Sequence, residues 1–172
     1  MLEQDTICAL STPPGAGAIA VVRLSGSEAV NVLRRTSDLT KNIVARSAYF
    51  CKLRDAEGDI DEGLVTWFKG PASYTGEDVV EIGVHGSAYV QQRLLSALVT
   101  NGARMAKPGE FTFRAFLNRK LDLSQAEAVA DLIASQSAAA HKLALQQLRG
   151  GYSERIETLR QQIAGHGKLT PE

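Results

Sequence analysis

Residues Gly15-Ala16-Gly17-Ala18-Ile19-Ala20 fit the pattern G-x-G-x-x-A, and an apolar run, Thr6 to Leu10, precedes them. Such a glycine turn opens a dinucleotide-binding fold only if a helix follows, because the helix N-terminus is what meets the pyrophosphate. Here the run continues as Ile19-Ala20-Val21-Val22-Arg23-Leu24. Three β-branched residues in four to five positions make poor opening turns of a helix and a good strand. The first helix signal comes only after Ser25-Gly26, and the acid expected about 20 residues further on is poorly matched. The glycines therefore read as a strand-to-strand connection behind Pro13-Pro14, and a dinucleotide held by this loop is not expected. A Walker loop is not expected either. No G-x-x-x-x-G-K-[ST] occurs, and Gly165-His166-Gly167-Lys168 lacks the spacing and a preceding strand.

The remaining pattern is one of short strands and few helices. Thr6–Leu10 and Ala18–Leu24 are expected strands, followed by a helix over Glu28–Arg35 with Ala29, Val32 and Leu33 on its apolar face. Arg46–Leu53 and Glu62–Lys69 flank the polar turn Arg54–Asp59, which predicts a hairpin. Gly70–Gly76 is a loop, Asp78–Val84 a strand, Ser87–Thr100 a helix ended by Asn101-Gly102, and Ala103–Ala106 a short extended piece. Past Lys107 the character becomes helical. Pro108-Gly109-Glu110 starts a turn through FTFRAFLN. Ser124-Gln125-Ala126-Glu127 fits a capping box ahead of a helix to about Ala134. From Ser137, a stripe through Leu145, Leu148, Tyr152, Ile156, Leu159 and Ile163 predicts one continuous helix across Gly150-Gly151. Its apolar face lacks partners in the chain, which suggests a longer protein or an oligomer. The expected fold class is α+β: a mixed β-sheet with two helices, then an α-helical segment, with domains at 1–119 and 120–172.

Composition sets limits on function. The 172 residues carry zero net charge and 44% hydrophobic residues, so a globally basic footprint for nucleic acid is absent. Charge is uneven, however. Between Arg104 and Lys120 the cations Arg104, Lys107, Arg114, Arg119 and Lys120 face one acid, Glu110. That local surplus suits an anionic ligand or a phosphate backbone. Cys8 and Cys51 sit in apolar runs outside any C-x-x-C pair, as buried reduced thiols would. The acidic N-terminus MLEQDT does not resemble a signal peptide, no apolar run has the length of a membrane span, and the expected compartment is the cytoplasm. His85, His141 and His166 have no metal-ligand spacing. No catalytic dyad and no metal site are assigned. Arg23 near the end of one apolar strand, Glu81 inside another, and Lys120 at a helix-to-helix junction are the charged residues in unusual settings.

Three long stretches carry a resemblance: DTICALSTPPGAGAIAVVRLSG, GPASYTGEDVVEIGVHG and KPGEFTFRAFLNRKLDLSQAEAVADLIAS. Over residues 1 to about 163 the chain resembles the N-terminal part of the MnmE (TrmE) family of tRNA modification GTPases. The resemblance implies a folate-binding domain like that of the glycine-cleavage T protein. Its ligand would be 5-formyltetrahydrofolate or another one-carbon tetrahydrofolate, and the domain would form a homodimer. It implies a following helical domain and, in the full-length family protein, a G domain using GTP, potassium and magnesium. The partners it implies are the FAD-dependent MnmG and tRNA, whose wobble uridine is modified. Folate contacts carried over by motif are Arg23, Glu81 and Lys120. Tyr74 and Phe111 are weaker candidates for ring contacts, with core packing the expected role of Phe111. G-domain motifs and the family's C-terminal Cys-x-Gly-Lys are absent from the sequence, so GTP hydrolysis by this chain is not expected. The stretch GHGKLTPE does not match the family's continuation. A purely structural dimerisation module is the alternative reading.

Overall fold

A computed structural model describes residues 5–150. By its internal contacts the chain divides into two units, the first ending at Arg114 and the second beginning at Ala115.

The first unit is built on six strands: β1 (Thr6–Leu10), β2 (Ile19–Ser25), β3 (Ala48–Asp55), β4 (Gly58–Phe68), β5 (Val79–His85) and β6 (Ala103–Met105). Their order across the sheet is β3-β4-β5-β2-β1-β6. All neighbours are antiparallel except β1 and β6, which run parallel and make the sheet mixed. The strand expected after the glycines is β2, and it returns antiparallel on β1. That geometry is incompatible with a βαβ crossover, so the dinucleotide fold is excluded.

Two helices, α1 (Ala29–Arg35) and α2 (Ala88–Thr100), complete the core. Ala29, Val32 and Leu33 of α1 are fully buried, as their spacing predicts. With Leu94 and Leu98 of α2 they join one core cluster that includes Leu24, Val22, Ile82 and Val80. Strand alternation divides the sheet: these residues fill one face, and Arg23, Glu81, Gly83 and His85 belong to the other. Burying each such side chain contributes roughly 1.5–3 kcal/mol, so the cluster fixes the register of β2 against β5.

The glycine loop is tied to the far end of this pair. Gly17 N–H donates to the Gly86 carbonyl at 2.9 Å, and Gly86 N–H returns to Ala18 at 3.3 Å. Gln91, buried on α2, donates to the Gly15 carbonyl at 3.0 Å, where Gly15 has φ +117°.

Helix α3 (Glu110–Leu117) spans the division between the units. In the second unit, α4 (Leu123–Ala134) and α5 (Ala138–Leu148) pack on each other through the buried Ala128 and Ala144. Gln125 at the start of α4 donates to the Leu148 carbonyl at the end of α5, 2.9 Å, so the pair is an antiparallel hairpin. Two expectations need correction. The capping box belongs to Asp122 and Gln125 instead of Ser124 and Glu127: the Asp122 carboxylate accepts from Gln125 N–H at 2.8 Å, and the Gln125 side chain accepts from Asp122 N–H at 2.9 Å. The long helix ends at Leu148, because Gly150 takes φ +86°, a left-handed conformation that closes a helix. The rest of the stripe, from Tyr152 to Ile163, and the GHGKLTPE stretch with His166 lie outside the described residues.

Candidate functional site

Arg23 and Glu81 come from strands 58 residues apart and stand directly opposite each other on β2 and β5. Arg23 Nε and Nη2 both donate to Glu81 Oε1, at 3.0 and 2.6 Å. The pair lies on the sheet face away from α1 and α2, with side chains 24% and 32% exposed. Partial shielding strengthens the charge-assisted bond, while the exposure keeps it open to a ligand. Among the described residues, Glu81 Oε2 and Arg23 Nη1 take no further hydrogen bond. The pair thus offers one free anionic acceptor beside one free cationic donor.

Two rings stand over this pair. The Arg23 guanidinium carbon is 5.2 Å from the centre of Tyr74 and 5.7 Å from that of Phe111, both within cation–π range. Tyr74 lies in the loop before β5, and Phe111 in the first turn of α3. The Tyr74 hydroxyl and Thr112 Oγ1 share a hydrogen bond of 3.0 Å, joining the loop to the helix. Phe111 is half-buried and faces a charge, which corrects the expectation that it packs in the core.

The cation surplus between Arg104 and Lys120 is largely local to the sequence. Arg104 is paired with Asp5 and Glu110, and Arg114 with Asp5, Glu77 and Glu110. The Arg104 guanidinium holds the Glu110 carboxyl down at about 2, with further help from the Lys107 N–H and Arg114. Burial pushes the Asp5 carboxyl up, but the hydrogen bonds and charges of Arg104 and Arg114 outweigh it and leave it lowered. Asp5 and Glu77 come from other segments, so nothing in the window itself signals them. Glu77 also accepts from the buried Ser25 hydroxyl at 2.7 Å, and Ser25 and Thr75 hydroxyls lie 2.6 Å apart. Arg114, Glu77, Ser25 and Thr75 lie inside the stretches that carry the resemblance, but no spacing or setting singles them out.

Lys120 belongs to the second unit. It is exposed, and its N–H donates to the Ala115 carbonyl at 2.8 Å, closing the turn after α3. His85 is a strand-end hydrogen-bonder: its N–H and ring Nδ1 both meet the Asp61 carboxylate, at 2.8 Å each. Among the described residues, no cluster of three or more His, Cys, Asp or Glu could hold a metal ion.

A salt-bridged pair on one sheet face, with two rings against its arginine, marks the candidate site of an α+β domain, here followed by a helical unit. Residues 6–120 match the family model described as GTP-binding protein TrmE N-terminus, and residues 123–166 match the MnmE helical domain. The chain belongs to this family. It is 51% identical over 175 aligned residues to the tRNA modification GTPase MnmE of Flavobacterium johnsoniae, covering 98% of this chain and 37% of that protein. It is similarly 51% identical over 168 residues to the protein of that name from Bacteroides fragilis (94% and 36%), and 53% identical over 164 residues to that from Cytophaga hutchinsonii (92% and 35%). The chain therefore spans a little over a third of the length of these relatives.

Proposed function

We propose that the first unit binds a one-carbon tetrahydrofolate, typified by 5-formyltetrahydrofolate, as the N-terminal module of a tRNA modification GTPase. The supporting observation is the Arg23–Glu81 pair under Tyr74 and Phe111. Folate offers an aminopyrimidine edge of N–H donors beside a carbonyl, a flat ring system and a carboxylate tail. Glu81 Oε2 suits the N–H edge, Arg23 Nη1 suits a carbonyl or carboxylate oxygen, and the two aromatic rings suit a flat partner. When bound, the cofactor supplies a one-carbon unit; Arg23 and Glu81 hold and orient it. Lys120 enters this reading from its motif alone. The whole protein acts as a cytoplasmic homodimer with the FAD-dependent MnmG on the wobble uridine of tRNA. Its G domain uses GTP with potassium and magnesium.

The purely structural alternative rests on a separate observation. On the open sheet face, Phe50, Leu64 and Ile19 are 66%, 56% and 70% exposed, a surface suited to a second copy of the chain. Both readings expect a dimer, so ligand binding discriminates them. Calorimetry with 5-formyltetrahydrofolate is expected to give saturable binding that Glu81→Ala abolishes. A folded dimer that gives no heat, with Glu81→Ala indistinguishable from it, would leave only the structural role.

A further inference from the structure

We propose that Arg114 is the positioning residue of the Arg23–Glu81 site, acting through the two aromatic side chains that roof it; this rests on the folate reading above. Arg114 has a side chain only 8% exposed, yet none of its hydrogen bonds goes to Arg23 or Glu81. Its guanidinium instead joins three segments. Nη1 donates to the Asp5 carbonyl at 2.8 Å and to Glu77 Oε2 and Oε1 at 3.2 and 3.3 Å. Nη2 donates to Asp5 Oδ1 at 2.6 Å and to Glu110 Oε1 at 3.2 Å. Asp5 lies just before β1, Glu77 closes the loop that carries Tyr74, and Glu110 begins the helix that carries Phe111.

The two rings depend on these anchors. An eight-residue helix is marginal on its own, so α3 keeps its place over Arg23 by what it is tied to. Arg114 sits one turn after Glu110 and three residues after Phe111, so its bonds brace the helical turn that carries the ring. On the loop side, the Glu77 carboxylate that Arg114 holds also takes the Ser25 hydroxyl, and Ser25 is two residues beyond Arg23 on the same face of β2. The Tyr74–Thr112 hydrogen bond then locks loop and helix together. One guanidinium thus sets the height of both rings above the charge they cover. Lysine carries the same charge but a single nitrogen, which cannot reach three carboxylates on three segments.

The test is a double-mutant cycle on the full chain, with affinity for 5-formyltetrahydrofolate as one readout and the thermal midpoint as the other. Arg114→Lys is expected to weaken binding about fivefold or more in the parent, and less than about twofold in a background that lacks both rings, Tyr74→Ala with Phe111→Ala. The midpoint should fall by a similar amount in both backgrounds, since the lost ties are the same. Glu77→Gln, a milder change that keeps the guanidinium, serves if Arg114→Lys does not fold, with the same pattern expected. Unchanged affinity, or an equal loss in both backgrounds, overturns the proposal, because Arg114 would then not act through the rings. A parent that does not bind, or a Glu81→Gln variant that binds as well as the parent, overturns the folate reading itself and this proposal with it.

Discussion

Gly17 and Gly86 meet backbone to backbone: the Gly17 N–H donates to the Gly86 carbonyl at 2.9 Å, and a Cβ on Gly86 would run into the Gly17 carbonyl. The glycine pattern thus serves a close approach between the β1–β2 loop and the start of α2. Gly86→Ala is expected to cost about 1–3 kcal/mol, because the obstructing atoms are main chain and cannot swing away. Gly83→Ala is the control. Its Cβ would meet only the Leu64 carbonyl at an ordinary 3.6 Å, and a change within about 0.5 kcal/mol is expected. Urea denaturation of the two variants measures both; equal losses would contradict the contact.

Arg23→Met removes a cation from beneath two rings and leaves Glu81 without its partner. The loss in stability should be modest, about 1–2 kcal/mol, since both side chains keep some access to water. Ligand affinity should fall far more than this, and calorimetry beside a denaturation curve separates the two effects. A variant that binds as the parent does would exclude Arg23 from the site.

Glu110 makes stability depend on acid. Arg104 holds its folded-state carboxyl near 2, below its ordinary value of 4.5. A depressed carboxyl contributes stability that is complete above the unfolded value and is lost as pH falls toward the folded one. The protein should therefore lose stability between about pH 4.5 and 2, with Asp5 adding to the same slope. Glu110→Gln should flatten that part of the profile and cost about 1–3 kcal/mol at pH 7. Thermal midpoints of parent and variant across this range provide the check; parallel profiles would contradict the pairing.

Asp122→Ala should lower the stability of the second unit by about 1 kcal/mol, while Ser124→Ala should be close to neutral. Far-UV circular dichroism melts of both variants distinguish the cap the structure shows from the one the S-x-x-E pattern suggests. The local pattern was ambiguous here because two overlapping frames, Asp122 to Gln125 and Ser124 to Glu127, both fit a capping box. Choosing between them needs the backbone angle at which the chain enters the helix.

Cys8 and Cys51 should stay unreactive toward an aromatic disulfide reagent at pH 8 until the protein unfolds. Burial raises both thiols to about 11, with the Asp38 charge adding to the effect at Cys51. Rapid labelling of either thiol in the folded protein would contradict their placement in the core.

Legibility in the sequence follows the range of the interaction. The hairpin around Arg54–Asp59, the α1 face of Ala29, Val32 and Leu33, and the strand after the glycines are written in neighbouring residues, and all were readable. Side-chain periodicity carried the stripe through Gly150, but periodicity is blind to the left-handed backbone that stops α5 there. Arg23 and Glu81 were each visible as a charge on an apolar strand. Their opposition depends on the register of β2 against β5, which the core on the other face decides. In the sequence Arg114 is one of a run of cations, because Asp5 and Glu77 reach it from segments far away in the chain.

The parallel pairing of β1 with β6 brings Cys8 and Met105 together from positions 97 residues apart. The first strand therefore waits for the last before its outer edge is covered. On a ribosome, the amino end of this unit emerges long before the strand that completes the sheet. The open edge of β1 is exposed throughout that interval, and closure comes late because the ends of so long a loop must meet before the contact is gained. Assembly of this domain is completed only at the end of its own synthesis, when β6 and Arg114 of α3, which grips Asp5, appear together.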